Sequence, residues 1–250
     1  MLNVSSVLVT GANRGIGLEF VRQLASLEPQ ISHIIATCRD PDAAKVRKHC
    51  YMYLIELKSI AKANNNVHIL KLEVTDYKSY DAFYAEVEKI VGSSGLDILI
   101  NNAGIAITTH LDEVTPEDFM KNFEVNTIGP YMLARKLTPL IKASQRKLII
   151  AISSSAGSIE RTSEMFGGFP AYRASKAALN IVTRTYADYI KKDGVTSVIF
   201  CPGWCKTDLG GSNAILETDF AVSSLIKTIS TLNAENNGCF FNYDGTPVPW

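Results

Sequence analysis

The segment Val7-Leu8-Val9-Thr10-Gly11-Ala12-Asn13-Arg14-Gly15-Ile16-Gly17 constrains the fold more than any other stretch of the chain. Its first four residues are a short apolar, β-branched run, which reads as a buried strand. Glycines at 11, 15 and 17 interrupt it, and Ile16, Phe20, Val21 and Leu24 then recur at helical spacing. A strand that turns through glycines straight into a helix aims the helix's free amides and positive dipole end at whatever lies on the turn. Glycine there also lets backbone approach a pyrophosphate. Gly11, Asn13, Arg14, Gly15, Ile16 and Gly17 are therefore candidate contacts of a dinucleotide. The spacing is Gly-x3-Gly-x-Gly, and a plain turn with helix-packing glycines is the alternative.

The same alternation continues along the chain. Ile34–Thr37, Val67–Leu72, Ile98–Ile100, Lys147–Ile152 and Ser197–Phe200 read as strands, and Gly238–Tyr243 as a last one. Helical patterns separate them. One spans 77–91 with Asp76 as its expected cap, and a long one opens at Thr115-Pro116-Glu117-Asp118, where Thr caps and Pro takes the first turn. Residues 41–63 are long for one helix, with an unusually apolar and aromatic stretch at 46–55. A helix continuing past 50, or a break near 50, is expected there, with Cys50, Leu54, Leu57 and Ala61 on one face. Strands alternating with helices imply right-handed βαβ units and a parallel sheet, an α/β fold. With no repeat, low-complexity tract or linker, residues 1–250 are expected to form a single domain.

Charge and thiols narrow the function. Lys plus Arg and Asp plus Glu each number 25, so no global field favours nucleic acid or an acidic membrane. No apolar run reaches the roughly 20 residues that span a bilayer, and no signal peptide precedes the first strand. Five cysteines at 38, 50, 201, 205 and 239 are irregularly spaced, which points to reduced thiols and a cytoplasmic location. Cys201 and Cys205 lack the partners of a zinc site, so no metal is expected. The four histidines, at 33, 49, 68 and 110, read as isolated surface or structural residues.

Candidate chemistry clusters at strand ends. Arg39-Asp40 follows the second strand, where a ribose 2′ position should lie. Arg39 and Arg14 together favour a 2′-phosphate and hence NADP(H), and Asp40 reads as a helix cap ahead of Pro41. Asn101-Asn102-Ala103-Gly104 follows the fourth strand, its small residues leaving room for a flat ring. Gly129 and Pro130 should kink the helix after Asn126 and free carbonyls there. Gly210-Gly211-Ser212 makes the segment after Thr207 a candidate lid. Ala171-Tyr172-Arg173-Ala174-Ser175-Lys176 puts a phenol and an ammonium one helical turn apart. An adjacent lysine is expected to lower the Tyr172 pKa and make the phenol a proton donor and acceptor near neutrality.

Thr-Gly-x3-Gly-x-Gly, Asn-Asn-Ala-Gly, Ser, Tyr-x3-Lys and Pro-Gly, in that order over nearly the whole chain, resemble the short-chain dehydrogenase/reductase family. Ala-Tyr-Arg-Ala-Ser-Lys-Ala-Ala-Leu-Asn, Pro-Gly-Trp-Cys-Lys-Thr-Asp-Leu-Gly-Gly and the closing Asn-Tyr-Asp-Gly-Thr-Pro-Val-Pro-Trp resemble a carbonyl reductase within it. The resemblance implies a single-domain, Rossmann-type, doubly wound parallel sheet with helices on both faces. It implies an NADPH-dependent reductase of aldehydes, ketones or quinones. Tyr172 would protonate the carbonyl oxygen, Lys176 would bind the nicotinamide ribose, and Ser154, rather than Ser153 or Ser155, would hydrogen-bond the substrate oxygen. Asn126 would hold a relay water. Asn102, Ala103 and Gly104 would flank the cofactor, and Pro202, Gly203 and Thr207 its carboxamide and diphosphate.

Some positions depart from the family pattern. Glu73 stands where an Asp near adenine is usual, which leaves the Val74 backbone as the safer contact there. Cys201 and Cys205 replace other residues, and 46–55 looks inserted. Ser154 and Tyr172 are 18 apart, and the extra residues from Glu160 to Phe169 are expected to shape the substrate mouth. Ile105, Phe166, Phe169, Trp204 and Leu209 are expected to line an apolar pocket. Family members often pair through helices at 116–143 and 171–192, so a homodimer is expected. Two other functions stay open: an NAD-linked alcohol dehydrogenase and a non-catalytic NADPH-binding regulator.

Overall fold

Parallel strands buried on both faces favour apolar residues along their length, and the central strands of this sheet are largely built that way. The computed structural model describes residues 2–41, 48–164 and 168–250, the side chains of 48–51 and 164 excepted. Its strands are β1 Ser6–Val9, β2 His33–Cys38, β3 Val67–Lys71, β4 Ile98–Asn101, β5 Leu148–Ile152, β6 Thr196–Cys201 and β7 Phe240–Asn242. They form one all-parallel sheet in the order β3-β2-β1-β4-β5-β6-β7. The register sets Val7 beside both Ile34 and Ile98. Because side chains alternate across a strand, Val7 and Val9 face one core and Leu8 the other.

The first core lies under helices α1 (Gly15–Ala25), α2 (Lys48–Ala63) and α7 (Thr218–Thr231), which contribute Phe20, Leu24, Leu57 and Leu225. The second lies under α3 (Tyr80–Val91), α5 (Gly129–Ala143) and α6 (Pro170–Ile190), through Phe83, Leu137 and Ile190. Each such side chain, fully buried, stabilises the fold by roughly 1.5–3 kcal/mol. The doubly wound α/β fold expected from the motif order is the one observed.

Several local expectations change. Asp76 does not cap a helix over 77–91: residues Tyr77–Ser79 form a 3-10 turn, and α3 starts only at Tyr80. The Asp76 carbonyl, not its carboxylate, accepts from the Ser79 amide and hydroxyl. Thr115 caps α4 (Pro116–Phe123) as expected, with reciprocal bonds between Thr115 and Asp118. The helix expected after 41 is described from Lys48. Its onset falls on 42–47, outside the described residues, so the first turn that Asp40 and Pro41 are expected to cap is not described, and neither are Cys50's side-chain contacts. Leu54 and Leu57 are buried as the spacing requires.

The histidines are not all isolated. Ile35 pairs with His68 across β2 and β3, which puts His33 diagonal to His68 on one face. Their ring nitrogens Nδ1 and Nε2 lie 3.3 Å apart. Burial, and then the neighbouring His33, push the His68 pKa below its ordinary value. No helix among the described residues is long and apolar enough to cross a membrane.

Candidate active site

The sheet order reverses at β1 and β4, so the chain leaves these adjacent strands toward opposite faces and opens a crevice at their C-terminal ends. The loop after β1 is the glycine turn, and the loop after β4 is Asn102-Ala103-Gly104. Thr10 ties the two together: its hydroxyl accepts from the amides of Asn102 and Ala103, both at 2.9 Å. The Asn102 side-chain amide donates back to the Thr10 carbonyl at 2.8 Å.

Glycine is required where these loops touch. Gly11 has φ +64°, and a Cβ there would stand 2.9 Å from the Ala103 Cα. A Cβ on Gly17 would fall 2.3 Å from the Gly11 carbonyl oxygen. Gly17 therefore packs the helix against the turn, while Gly11, Asn13, Arg14, Gly15 and Ile16 line the crevice itself. The crevice is an open groove whose lining runs from Arg39 past the glycine turn to Tyr172 and Lys176. That length, the glycine cradle and the amides at the start of α1 fit a dinucleotide.

At one end lie Arg39, Glu73 and Val74. Arg39 is exposed. One Glu73 carboxylate oxygen accepts from the Thr75 amide and hydroxyl, at 3.3 and 3.1 Å. Pro202 and Thr207 line the opposite wall, and Gly203 does not: a Cβ there would meet Leu216 at 2.3 Å. Gly203 is thus a packing glycine behind the wall.

At the other end α6 supplies Tyr172 and Lys176. Helix α6 starts from Phe169, held in the left-handed region at φ 62°, with Pro170 in the first turn. A non-glycine residue there is uncommon and strained. Lys176 is buried, and its Nζ donates to the Ile152 carbonyl at 2.9 Å. Tyr172 is half-buried, with Lys176 Nζ 5.9 Å from its ring centre, and the nearby Ser154 hydroxyl favours its phenolate form. Ser154 Oγ also accepts from the Ala156 amide at 3.1 Å. The neighbouring Ser153 reaches the crevice wall, but its hydroxyl is committed to Asn180 Oδ1 at 2.6 Å. Ser153 is thereby occupied, and Ser154, which does not itself line the crevice, is the serine whose hydroxyl favours the Tyr172 phenolate.

The expected drop in the Tyr172 pKa is not found. Burial pushes the phenol up to about 12, outweighing the Ser154 hydrogen bond that favours the phenolate. Burial likewise pushes Lys176 down to about 8. Both groups lose solvation, and the lysine is aimed at a carbonyl rather than at the phenol. Sequence spacing shows that two groups share a face but not how much water surrounds them.

Asn126 sits in a π-helical turn, Glu124–Ile128, between α4 and α5. The helix takes π geometry just before Gly129, and the carbonyls there find partners: Pro130 O accepts from Asn101 Nδ2 at 3.2 Å, and Gly129 O from the Tyr80 hydroxyl at 3.2 Å. Asn126 lies behind the crevice. Its side chain accepts from the Ile105 amide and donates to the Ile105 carbonyl, both at 2.9 Å, and donates to Ser175 Oγ at 3.0 Å. It clasps the Gly104 loop to the tyrosine helix.

Of the expected substrate-pocket residues, Ile105 and Leu209 line the crevice. Trp204 does not: it is 52% exposed, and its ring N–H donates to the Gly210 carbonyl at 2.7 Å. Phe169 packs against His110, ring centres 5.9 Å apart, and Phe166 lies outside the described residues. Gly210-Gly211-Ser212 ends a tied turn rather than a loose lid. The Gly210 amide donates to Thr207 Oγ1 and the Gly211 amide to the Thr207 carbonyl. Lys121, Val125 and Asp208 line the crevice unforeseen. Nothing local marked Asp208, which meets Arg14 across 194 positions.

Comparison with known proteins agrees with this geometry. A carbonyl reductase from chicken fatty liver, solved with NADPH bound, is 38% identical, with a TM-score of 0.92 over 100% of both chains. The carbonyl reductase Sniffer of D. melanogaster is 36% identical with a TM-score of 0.91, covering 99% of this chain and 100% of that one. An uncharacterized oxidoreductase of Schizosaccharomyces pombe is 31% identical over 264 residues, 97% of this chain and 96% of its own. The family model described as short chain dehydrogenase matches residues 5–215, from the start of β1 through the segment after β6. A match of that span, on a crevice built as described, means that the chain belongs to the short chain dehydrogenase family of oxidoreductases.

Proposed function

We propose that the protein is an NADPH-dependent reductase of carbonyl compounds, namely aldehydes, ketones or quinones. The observation that carries this reading is the grouping of Tyr172 with Ser154 and the buried Lys176 at the end of the glycine-turn crevice away from Arg39. A bound nicotinamide supplies the hydride. Tyr172, whose phenol holds its proton at neutral pH, gives that proton to the carbonyl oxygen. Ser154 holds that oxygen with a hydrogen bond that strengthens as negative charge develops. Lys176 holds the nicotinamide ribose, and Asn126 fixes the loop beneath it.

Gly11, Gly15 and the amides of Ile16 face the diphosphate in this reading, Asn102, Ala103 and Val74 the adenosine side, and Pro202 and Thr207 the carboxamide side. Arg39 and Arg14 select the 2′-phosphate. A charge-assisted hydrogen bond contributes roughly 1.5–3 kcal/mol. Arg39→Asp is therefore expected to raise the NADPH Kd by about tenfold or more and leave NADH nearly unchanged, read by fluorescence titration of both. Equal losses for the two cofactors would remove Arg39 from the phosphate site.

The test of the activity is NADPH oxidation across a panel of aldehydes, ketones and quinones. Tight NADPH binding with no turnover on any of them would favour the regulator instead. A homodimer through α4–α5 and α6 is part of the proposal. It is supported by Met120, Ile128, Ile181 and Tyr189, which are large side chains exposed on those segments. Light scattering should return twice the 27.4 kDa chain mass, and a monomer refutes the pairing. The scattered thiols, with Cys201, Cys205 and Cys239 outside any disulfide, support the cytoplasm as its compartment.

A further inference from the structure

Arg14 and Asp208 stand at the crevice wall with Nη1 and Oδ2 3.0 Å apart. Their side chains are 38% and 28% exposed, so the pair is partly screened by water. Asp208 belongs to the tied turn after β6, which is seated on the glycine turn. A Cβ on Gly15 would lie only 3.2 Å from the Thr207 methyl. The turn is closed by the Trp204–Gly210 and Thr207–Gly210 bonds, so its carboxylate is presented from a fixed backbone. On its far side the Tyr53 hydroxyl of α2 donates to Asp208 Oδ1 at 3.4 Å.

We propose that Asp208 is a specificity-determining residue, which competes with the cofactor 2′-phosphate for the Arg14 guanidinium. This rests on the NADPH reading above. A 2′-phosphate entering beside Arg14 meets a carboxylate of like charge already holding that guanidinium. NADPH must draw Arg14 off Asp208, whereas NADH makes no such demand. Tyr53 keeps a donor on the carboxylate after Arg14 leaves, so the exchange does not strip Asp208 of partners. Asp208 thus lowers the affinity for the phosphorylated dinucleotide, which keeps its release fast. It also couples phosphate binding to the turn that carries Thr207 and Leu209 at the crevice wall.

The test is Asp208→Asn, with NADPH and NADH titrated separately against wild type and in an Arg14→Gln background. A partly exposed pair of this kind is worth a factor of about two to five. The NADPH Kd should fall by that factor, the NADH Kd should hold, and the gain should vanish once Arg14 is Gln. Unchanged NADH binding also shows that the variant is folded. Equal shifts for both cofactors, weaker NADPH binding, or a gain that survives Arg14→Gln would each overturn the competition. A wild type that binds no NADPH overturns both readings, whereas one that binds it with an indifferent Asp208 overturns only this one.

Discussion

Tyr172→Phe is expected to lower kcat/KM for carbonyl reduction by roughly 10²–10⁴, the range that a positioned general acid contributes. The substitution removes one oxygen from a half-buried ring and leaves its packing in place. Ser154 keeps its bond from the Ala156 amide, so the loop is not released. NADPH affinity should therefore change little, and the loss should appear in kcat. Steady-state kinetics with a cofactor titration separates these. Turnover within tenfold of wild type would remove Tyr172 from proton transfer.

Lys176→Met should produce two effects that diverge. Turnover should fall by about a hundredfold or more, since the nicotinamide ribose loses its anchor and misplacement on the scale of an ångström costs that much. Stability behaves differently. Folding lowers the Lys176 pKa from 10.5 to about 8 by burial. Below pH 8 folded and unfolded chains both hold the proton. Between about 8 and 10.5 only the unfolded chain holds it, so the folded form gains stability as pH rises through that window. At about 1.4 kcal/mol per tenfold change in proton affinity, the full gain is about 3 kcal/mol. Methionine lacks it. Urea unfolding of the cofactor-free proteins should show the wild type gaining on Lys176→Met by about that amount from pH 8 to pH 10.5. Tyr172, raised toward 12, works in the opposite sense above pH 10, but it is common to both proteins and cancels in the difference. A gap that does not move with pH would mean that Lys176 is well solvated in the fold.

The strands and most helices were legible because their evidence is local. Val7–Val9, Ile98–Ile100 and Leu148–Ile152 are apolar at every position, as a sheet covered on both faces demands. Thr115 and Asp118 carry the capping box within four residues. The glycine turn was legible for the same reason, since its backbone demand is visible in residue type alone. Asp76 misled because a good capping residue preceded a 3-10 turn, which needs no side-chain cap. Trp204 misled because its neighbourhood in sequence faces the crevice while the ring itself turns outward to Gly210.

Within the site, spacing brought Tyr172 and Lys176 together, and motif order placed them opposite the glycine turn. Left to the tertiary structure were the Asn126 clasp on Ile105, the His33–His68 pair and the Arg14–Asp208 contact. The sequence alone determined the order of strands and helices and where backbone had to lack a side chain, since these follow from periodicity and sterics over a few residues. Only the folded chain decided the direction of the Tyr172 and Lys176 pKa shifts and the partner of Arg14. Solvation and charge pairing depend on which distant segments the crossovers bring within a few ångströms, and no window of sequence contains that distance.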